Sequence, residues 1–202
     1  KELLRKMAPL DLKWFTETDI SVAEAPEMLD HMAKAGCKQI LVGLESPTQG
    51  GLLEIDPQNW KAKRFENYLS AIARIQSAGI TVNGTFVLGL DSHDTTIFAE
   101  LRDFVRTSNL IEVQLTVQPP FPGPPLYDRL KHDGRLLQDR FWDRCTLFDV
   151  NFTPKNMSVD ELEDGFAWLA GEVYNDREFA RRKRHYMDLA KLRSQTPGRT
   201  AA

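Results

Sequence analysis

Residues 38–47, KQILVGLESP, decide how the rest of the chain is read. Ile40, Leu41, Val42 and Leu44 form an apolar run too short for a helix and rich in β-branched residues. Helical periodicity flanks the run on both sides. It is therefore expected to be a strand of a parallel sheet covered on both faces. Glu45 and Ser46 then fall at the strand's C-terminal end. In parallel α/β folds the strand-to-helix loops gather at that end, and ligands bind there. The competing reading is an ordinary strand exit whose glutamate faces water.

The same grammar extends outward from this strand. Upstream, residues 12–18 (LKWFTET) read as a strand, with Trp14 and Phe15 supplying β-propensity. Its exit carries Glu17, Thr18 and Asp19. Before it, Leu3, Leu4 and Met7 share a helical face that Pro9 closes. After it, Ser21 and Glu24 have capping-box spacing, and Met28, Leu29 and Met32 give a helical stripe that Gly36 stops. Downstream, residues 48–60 read as a loop. Phe65, Tyr68, Leu69, Ile72 and Ile75 form a helical stripe ended by Gly79. Residues 80–90 (ITVNGTFVLGL) follow as a strand containing Gly84 and Gly89, and its exit carries Asp91, Ser92, His93 and Asp94. Glycine in a strand often marks close approach of a ligand or backbone. Ile97, Phe98, Leu101, Phe104 and Val105 make another helix, and residues 112–117 (EVQLTV) another strand. Residues 118–127 look too proline-rich for regular structure.

Up to residue 118 the chain thus reads as helix and strand in alternation. That pattern predicts an α/β fold with a parallel sheet and right-handed crossovers. The sheet is either curved as part of a barrel or open and doubly wound; four strands are too few to close a barrel. The remainder differs. Phe141, Trp142 and Phe148 supply aromatic anchors. Ser158 and Glu161 form a second capping box, followed by Leu162, Phe166, Leu169 and Val173 on one helical face. Arg181, Arg182, Lys183 and Arg184 make a basic run, either an RNA or phosphate contact or a solvated helix face. We divide the chain into 1–137, a helical extension 138–195 and a disordered tail 196–202.

Composition bounds the function. The 202 residues are 42% hydrophobic, enough for a core, and the formal net charge of −3 gives no global pull toward nucleic acid or anionic membrane. Cys37 and Cys145 make neither a disulfide framework nor a metal cluster, and a reducing, cytoplasmic setting fits them. No apolar run is long enough to span a membrane. The chain begins at Lys1 inside an apparent helix, so it is expected to be a piece of something longer.

No complete catalytic set is visible: no phosphate loop, no nucleophile elbow, no histidines at metal-ligand spacing. His93 alone lies at a strand exit and is expected at the surface. What remains is polar groups at four strand ends: Glu17, Thr18 and Asp19; Glu45 and Ser46; Thr85 leading to Gly89 and Asp91; and Gln118. Carboxylates accept hydrogen bonds from ribose hydroxyls or an amino group. Glycines let backbone approach an adenine. The set suits a small amino-acid or nucleoside ligand and holds no reactive group of its own.

At these residues the chain resembles the radical S-adenosylmethionine superfamily, in its branch with a cobalamin-binding domain. Relatives of the anaerobic Mg-protoporphyrin cyclase and of hopanoid methylase are of this kind. The matching pieces are LKWFTETDI, MLDHMAKAGCKQILVGLESP, IQSAGITVNGTFVLGLDSHD and QPPFPGPPLYDRL. They look like strands three to six of that family's six-stranded, (β/α)6 partial TIM-like barrel, with a helical C-terminal extension.

The resemblance implies that Glu17 faces the methionine part of S-adenosylmethionine. It places Glu45 and Ser46 near the ribose or the methionine carboxylate. The strand from Thr85 to Gly89 and on to Asp91 lines ribose and adenine, and Gln118 closes the substrate side. The family's three-cysteine loop for a [4Fe-4S] cluster is not in this sequence, nor is a cobalamin domain. The resemblance therefore places both groups in a parent protein, and this chain alone is not expected to catalyse. The implied parent is a cobalamin-dependent methyltransferase or cyclase acting on a small-molecule or lipid-like substrate. Two alternatives stand beside it: a methylthiotransferase acting on RNA, supported by the basic run, and a non-catalytic binding module. Self-association through the edge of strand 12–18 is a further expectation.

Overall fold

The apolar run at Ile40 is the second strand of a four-stranded parallel sheet. A computed structural model of the chain describes residues 1–53 and 55–195. The strands are β1 (Trp14–Glu17), β2 (Cys37–Glu45), β3 (Thr81–Leu88) and β4 (Glu112–Val117), in the order β1-β2-β3-β4 with every pair parallel. The helices are α1 (Glu2–Met7), α2 (Pro26–Lys34), α3 (Tyr68–Ser77), α4 (Ile97–Ser108), α5 (Pro125–His132), α6 (Val159–Val173) and α7 (Asp176–Gln195). Strands taken in sequence order without reversal describe a singly wound sheet, the architecture of part of a TIM-like barrel. A doubly wound sheet reverses its order at a switch point.

Burial along β2 shows what this curvature does. Ile40, Val42 and Leu44 are fully buried, whereas Leu41, Gly43 and Glu45 alternate with them and are only half-buried. One face of β2 therefore packs into the core with Ile72, Ile75, Val82, Phe86, Leu101 and Val105, and the other is partly open. The expectation of two covered faces is corrected to one. On the open face polar side chains link the strands: Gln39 Nε2 and Asn83 Nδ2 both donate to Glu112 Oε2, at 3.0 and 3.4 Å.

The two outer strands are finished differently. Beyond β4, the tail closes the ladder. The Tyr174 hydroxyl donates to Val113 O at 3.0 Å and accepts from Leu115 N at 3.2 Å, and Val117 N donates to Leu147 O at 2.8 Å. Ser158 and Glu161 make the reciprocal capping box expected of them. Helix α6 then buries Leu162, Leu169 and Val173 in the same core cluster. At the other end, β1 pairs with β2 alone among the described residues, and Phe15 is 70% exposed.

Three local readings are revised. The turn before α2 is a 3₁₀ segment, Ile20–Glu24, capped by Asp19, which accepts from Ser21 N at 2.8 Å; Ser21 and Glu24 form no capping box. Helix α5 starts inside the proline-rich stretch because Pro125 occupies its first position, where the missing N–H is harmless. The basic run is partly interior. Arg182 is buried and donates to Val173 O at 2.9 Å, and Arg181 reaches Asn109 Oδ1 at 2.6 Å, leaving Lys183 and Arg184 exposed. The disordered tail expected at 196–202 lies outside the described residues. Among the described residues no helix is long and apolar enough to cross a membrane.

Candidate functional site

The end of β2 is built around Glu45. The residue adopts φ +65°, a left-handed conformation that is unfavourable for a side chain with a Cβ, and the β2–β3 register shifts beside it. This bulge re-aims the carboxylate. Lys61 then fixes it: its Nζ lies 2.5 Å from Glu45 Oε1 and 2.9 Å from Gly43 O. A Cβ at residue 43 would stand 2.5 Å from Glu45 Oε1 and 3.2 Å from Lys61 Nζ, so this glycine leaves room for the pair. Lys61 is itself positioned by Asp56, whose carboxylate accepts from the backbone N–H of Trp60 and Lys61 at 2.6 and 3.1 Å.

Ser46 points the other way, into the protein. It is fully buried, and its Oγ lies 3.2 Å from both Thr48 Oγ1 and His93 Nε2. Thr48 Oγ1 in turn accepts from Gly51 N at 3.1 Å. The histidine expected at the surface is 2% exposed, and burial pushes its pKa down to about 4, so it is neutral at neutral pH. Its Nδ1 is buried with no hydrogen-bond partner among the described residues. His93 therefore pins the loop after β2 to the loop after β3.

A cleft of about 900 Å³ opens at the C-terminal ends of β2, β3 and β4. Glu45, Asp91 and Gln118 line it together, with Leu53, Ile55, Val87, Leu90 and Leu126 as apolar wall and Arg129 from α5. Gln118 is held by its N–H to Leu88 O at 2.9 Å, and its Oε1 is buried with no hydrogen-bond partner among the described residues. Asp91 is heavily engaged, with Arg135 Nη1 at 2.8 Å and Lys155 Nζ at 3.2 Å. Burial pulls its pKa up, but the pairing with Arg135 and Lys155 outweighs this and holds it below the usual carboxylate range.

Ser92 lines the cleft as well, whereas Glu17, Ser46, Thr85 and Gly89 are not in its wall. Glu17 ends β1 level with Leu41, at the same end of the sheet as Glu45 but four residues short of it, and is exposed. Thr85 is half-buried on β3, paired with Gly43. Gly89 adopts φ +84°, and a Cβ there would meet Phe152 at 2.9 Å and Leu162 at 3.0 Å, so its neighbours are core side chains. Sequence reasoning missed Lys61, Arg129 and the burial of His93.

Cys37 and Cys145 are free, and burial pushes the Cys37 thiol up to about 11, away from the thiolate form that binds metal. No group of three His, Cys, Asp or Glu among the described residues could hold a metal ion.

A parallel sheet in partial-barrel order with a polar-ended cleft at its strand exits has the architecture in which α/β folds place ligand sites. Comparison with known proteins narrows the class. Residues 124–201 match the model of DUF4070, a domain of unknown function. The chain is 25% identical over 181 residues to bacteriochlorophyllide d C-12(1)-methyltransferase of Chlorobaculum tepidum, covering 90% of this chain and 38% of that protein. It is 29% identical over 140 residues to hopanoid C-2 methylase of Rhodopseudomonas palustris, covering 67% and 25%. It is 24% identical over 143 residues to bacteriochlorophyllide d C-8(2)-methyltransferase of Chlorobaculum tepidum, covering 71% and 31%. The chain thus spans well under half the length of these relatives. The matches bear out the resemblance to the cobalamin-binding branch of the radical S-adenosylmethionine superfamily.

Proposed function

We propose that the cleft forms part of the S-adenosylmethionine and substrate site of a cobalamin-dependent radical enzyme, one that methylates an unactivated carbon of a small or lipid-like molecule. One observation carries the reading: at the strand exits, a carboxylate locked by Lys61 and the orphan acceptor Gln118 Oε1 line a single cleft. S-adenosylmethionine, when bound, supplies a methyl group on a positively charged sulfur. Glu45 suits its ribose hydroxyls as an acceptor. Gln118 Oε1 suits an N–H or O–H donor on the substrate side, because a buried acceptor gains most when a ligand satisfies it. Leu53, Ile55, Val87, Leu90 and Leu126 supply the cleft's apolar wall. Ser46 shapes the loop through His93.

The described residues include no group of three His, Cys, Asp or Glu that could hold a metal ion, so they do not fit the ligand set of an iron–sulfur cluster. The cluster and the cobalamin would be held by residues other than those described. Methyl transfer is preferred to cyclisation because three of the relatives are named for methylation. The RNA-directed reading loses support, since Arg181 and Arg182 are engaged by groups of the protein itself. We place the protein in the cytoplasm, where free thiols persist, and we propose that it self-associates through β1.

Calorimetric titration of the chain with S-adenosylhomocysteine tests the assignment. Weak but saturable binding is expected, lowered about tenfold in Glu45→Gln, equivalent to about 1.4 kcal/mol. Absence of binding, or a Glu45→Gln variant that binds as well as the parent, overturns it.

A further inference from the structure

Asp91 stands among three cations. Arg135 and Lys155 take its two short contacts, at 2.8 and 3.2 Å, and Arg129 is left with a 3.7 Å approach of its Nη2, beyond hydrogen-bond distance. One carboxylate cannot neutralise three cations. The surplus sits at the cleft, because Arg129 lines it with a side chain 51% exposed. Arg135 adds a buried Nη2 with no hydrogen-bond partner among the described residues. Beside them the wall is apolar, with Leu53, Ile55, Leu90 and Leu126. An apolar groove with a cationic end matches one kind of ligand.

We propose that the cleft takes an apolar small molecule bearing a carboxylate, with Arg129 as its counter-ion. The proposal rests on the functional reading above and names the substrate class of that same cleft. A guanidinium presents two parallel N–H donors to a carboxylate, and an arginine held only loosely can turn to do so. Asp91 competes for it only weakly, at 3.7 Å, because Arg135 and Lys155 take its short contacts. It also offsets the mutual repulsion of the cations while no ligand is bound, which keeps Arg129 at the cleft.

Quenching of tryptophan fluorescence tests this, with protoporphyrin IX and its dimethyl ester as probes. The two share a ring and differ in their free carboxylates. The acid is expected to bind about tenfold more tightly than the ester. Arg129→Gln should abolish that preference, Arg129→Lys should keep part of it, and Lys131→Gln should leave it intact, because Lys131 pairs with Asp139 instead. Equal binding of acid and ester, or an acid preference that survives Arg129→Gln, overturns the proposal. The cofactor's own carboxylate is the other source of the same chemistry. If Arg129→Gln weakens S-adenosylhomocysteine and leaves protoporphyrin IX unchanged, Arg129 serves the cofactor and the proposal is wrong. An Arg129-dependent acid preference without any S-adenosylhomocysteine binding upholds the carboxylate site and overturns only the cofactor reading. Circular dichroism of each variant checks folding.

Discussion

Lys61 holds Glu45 in the cleft wall, with its ammonium 2.5 Å from the carboxylate and a second contact made to Gly43 O. The two side chains are 20% and 22% exposed, so water screens the pair only partly. The pairing also supports the left-handed backbone of Glu45, a conformation that persists only when its surroundings over-determine it. Lys61→Met keeps the aliphatic stem and removes the charge. It should cost roughly 1.5–3 kcal/mol of stability, the range for hydrogen bonds to charged groups. It should also weaken S-adenosylhomocysteine by about tenfold. Urea unfolding and the calorimetric titration give the two numbers. A variant that loses stability and keeps its affinity would show that Lys61 supports the turn and not the ligand.

His93 makes stability depend on pH. Its pKa falls from an ordinary 6.5 to about 4 on burial, so between those values the unfolded chain binds more protons than the folded one. Stability is therefore full above about pH 6.5 and is lost as pH falls toward 4, by an amount on the order of 3 kcal/mol. Asp91 adds a second loss in the same direction at lower pH, where its paired carboxylate is protonated. Urea midpoints at pH 7, 5.5 and 4.5 should fall in the parent chain and flatten over that interval in His93→Gln. An equal slope in both proteins would assign the effect to another group.

Tyr174 should matter to β4 far more than to the helix it follows. Its hydroxyl bridges Val113 O and Leu115 N, two ladder groups with no strand beside them among the described residues. Burial raises the Tyr174 pKa, so the hydroxyl keeps its proton and can donate. Tyr174→Phe retains the ring and should cost about 1–3 kcal/mol through two lost bonds. Amide exchange at Leu115 should quicken while that at Phe86 on β3 does not. Unchanged protection at Leu115 would mean that solvent or another group replaces the hydroxyl.

These sites show which physics a sequence exposes. Strand runs such as 40–44 and helical stripes such as Leu162, Leu169 and Val173 are local patterns, and they placed the sheet and the tail helix. Parallel topology made the strand exits the place to look, so Glu45 and Gln118 were legible. Their partners were not. Lys61 reaches Glu45 across a loop of irregular turns, and Ser46 meets a histidine 47 residues further on. Asp91 looked like a free acceptor because Arg135 and Lys155 come from beyond β4. Arg182 looked like solvated charge, and its bond to Val173 O depends on how α7 packs against α6. Periodicity reports which face is buried; it carries no term for charges that meet through tertiary packing.

The edge at β1 gives the last prediction. The strand is four residues long, and its outer backbone groups face no other strand among the described residues. Phe15 and Leu12 are 70% and 43% exposed on and beside it. The C-terminal helices do not relieve this, because Tyr174 and Leu147 close the β4 side instead. A helix could not satisfy the ladder in any case, whereas another strand could. Two copies pairing through β1 would bury both aromatic rings and complete both ladders. The strand is short and Lys13 lies next to it, and both features weaken such pairing without preventing it. Sedimentation of the chain at micromolar concentration should therefore show a monomer–dimer equilibrium. Phe15→Lys should shift it to monomer while leaving the unfolding transition nearly in place, since a residue this exposed contributes little to the core. A concentration-independent monomer of 23.1 kDa, with slow exchange along β1, would show that the edge is protected within one chain.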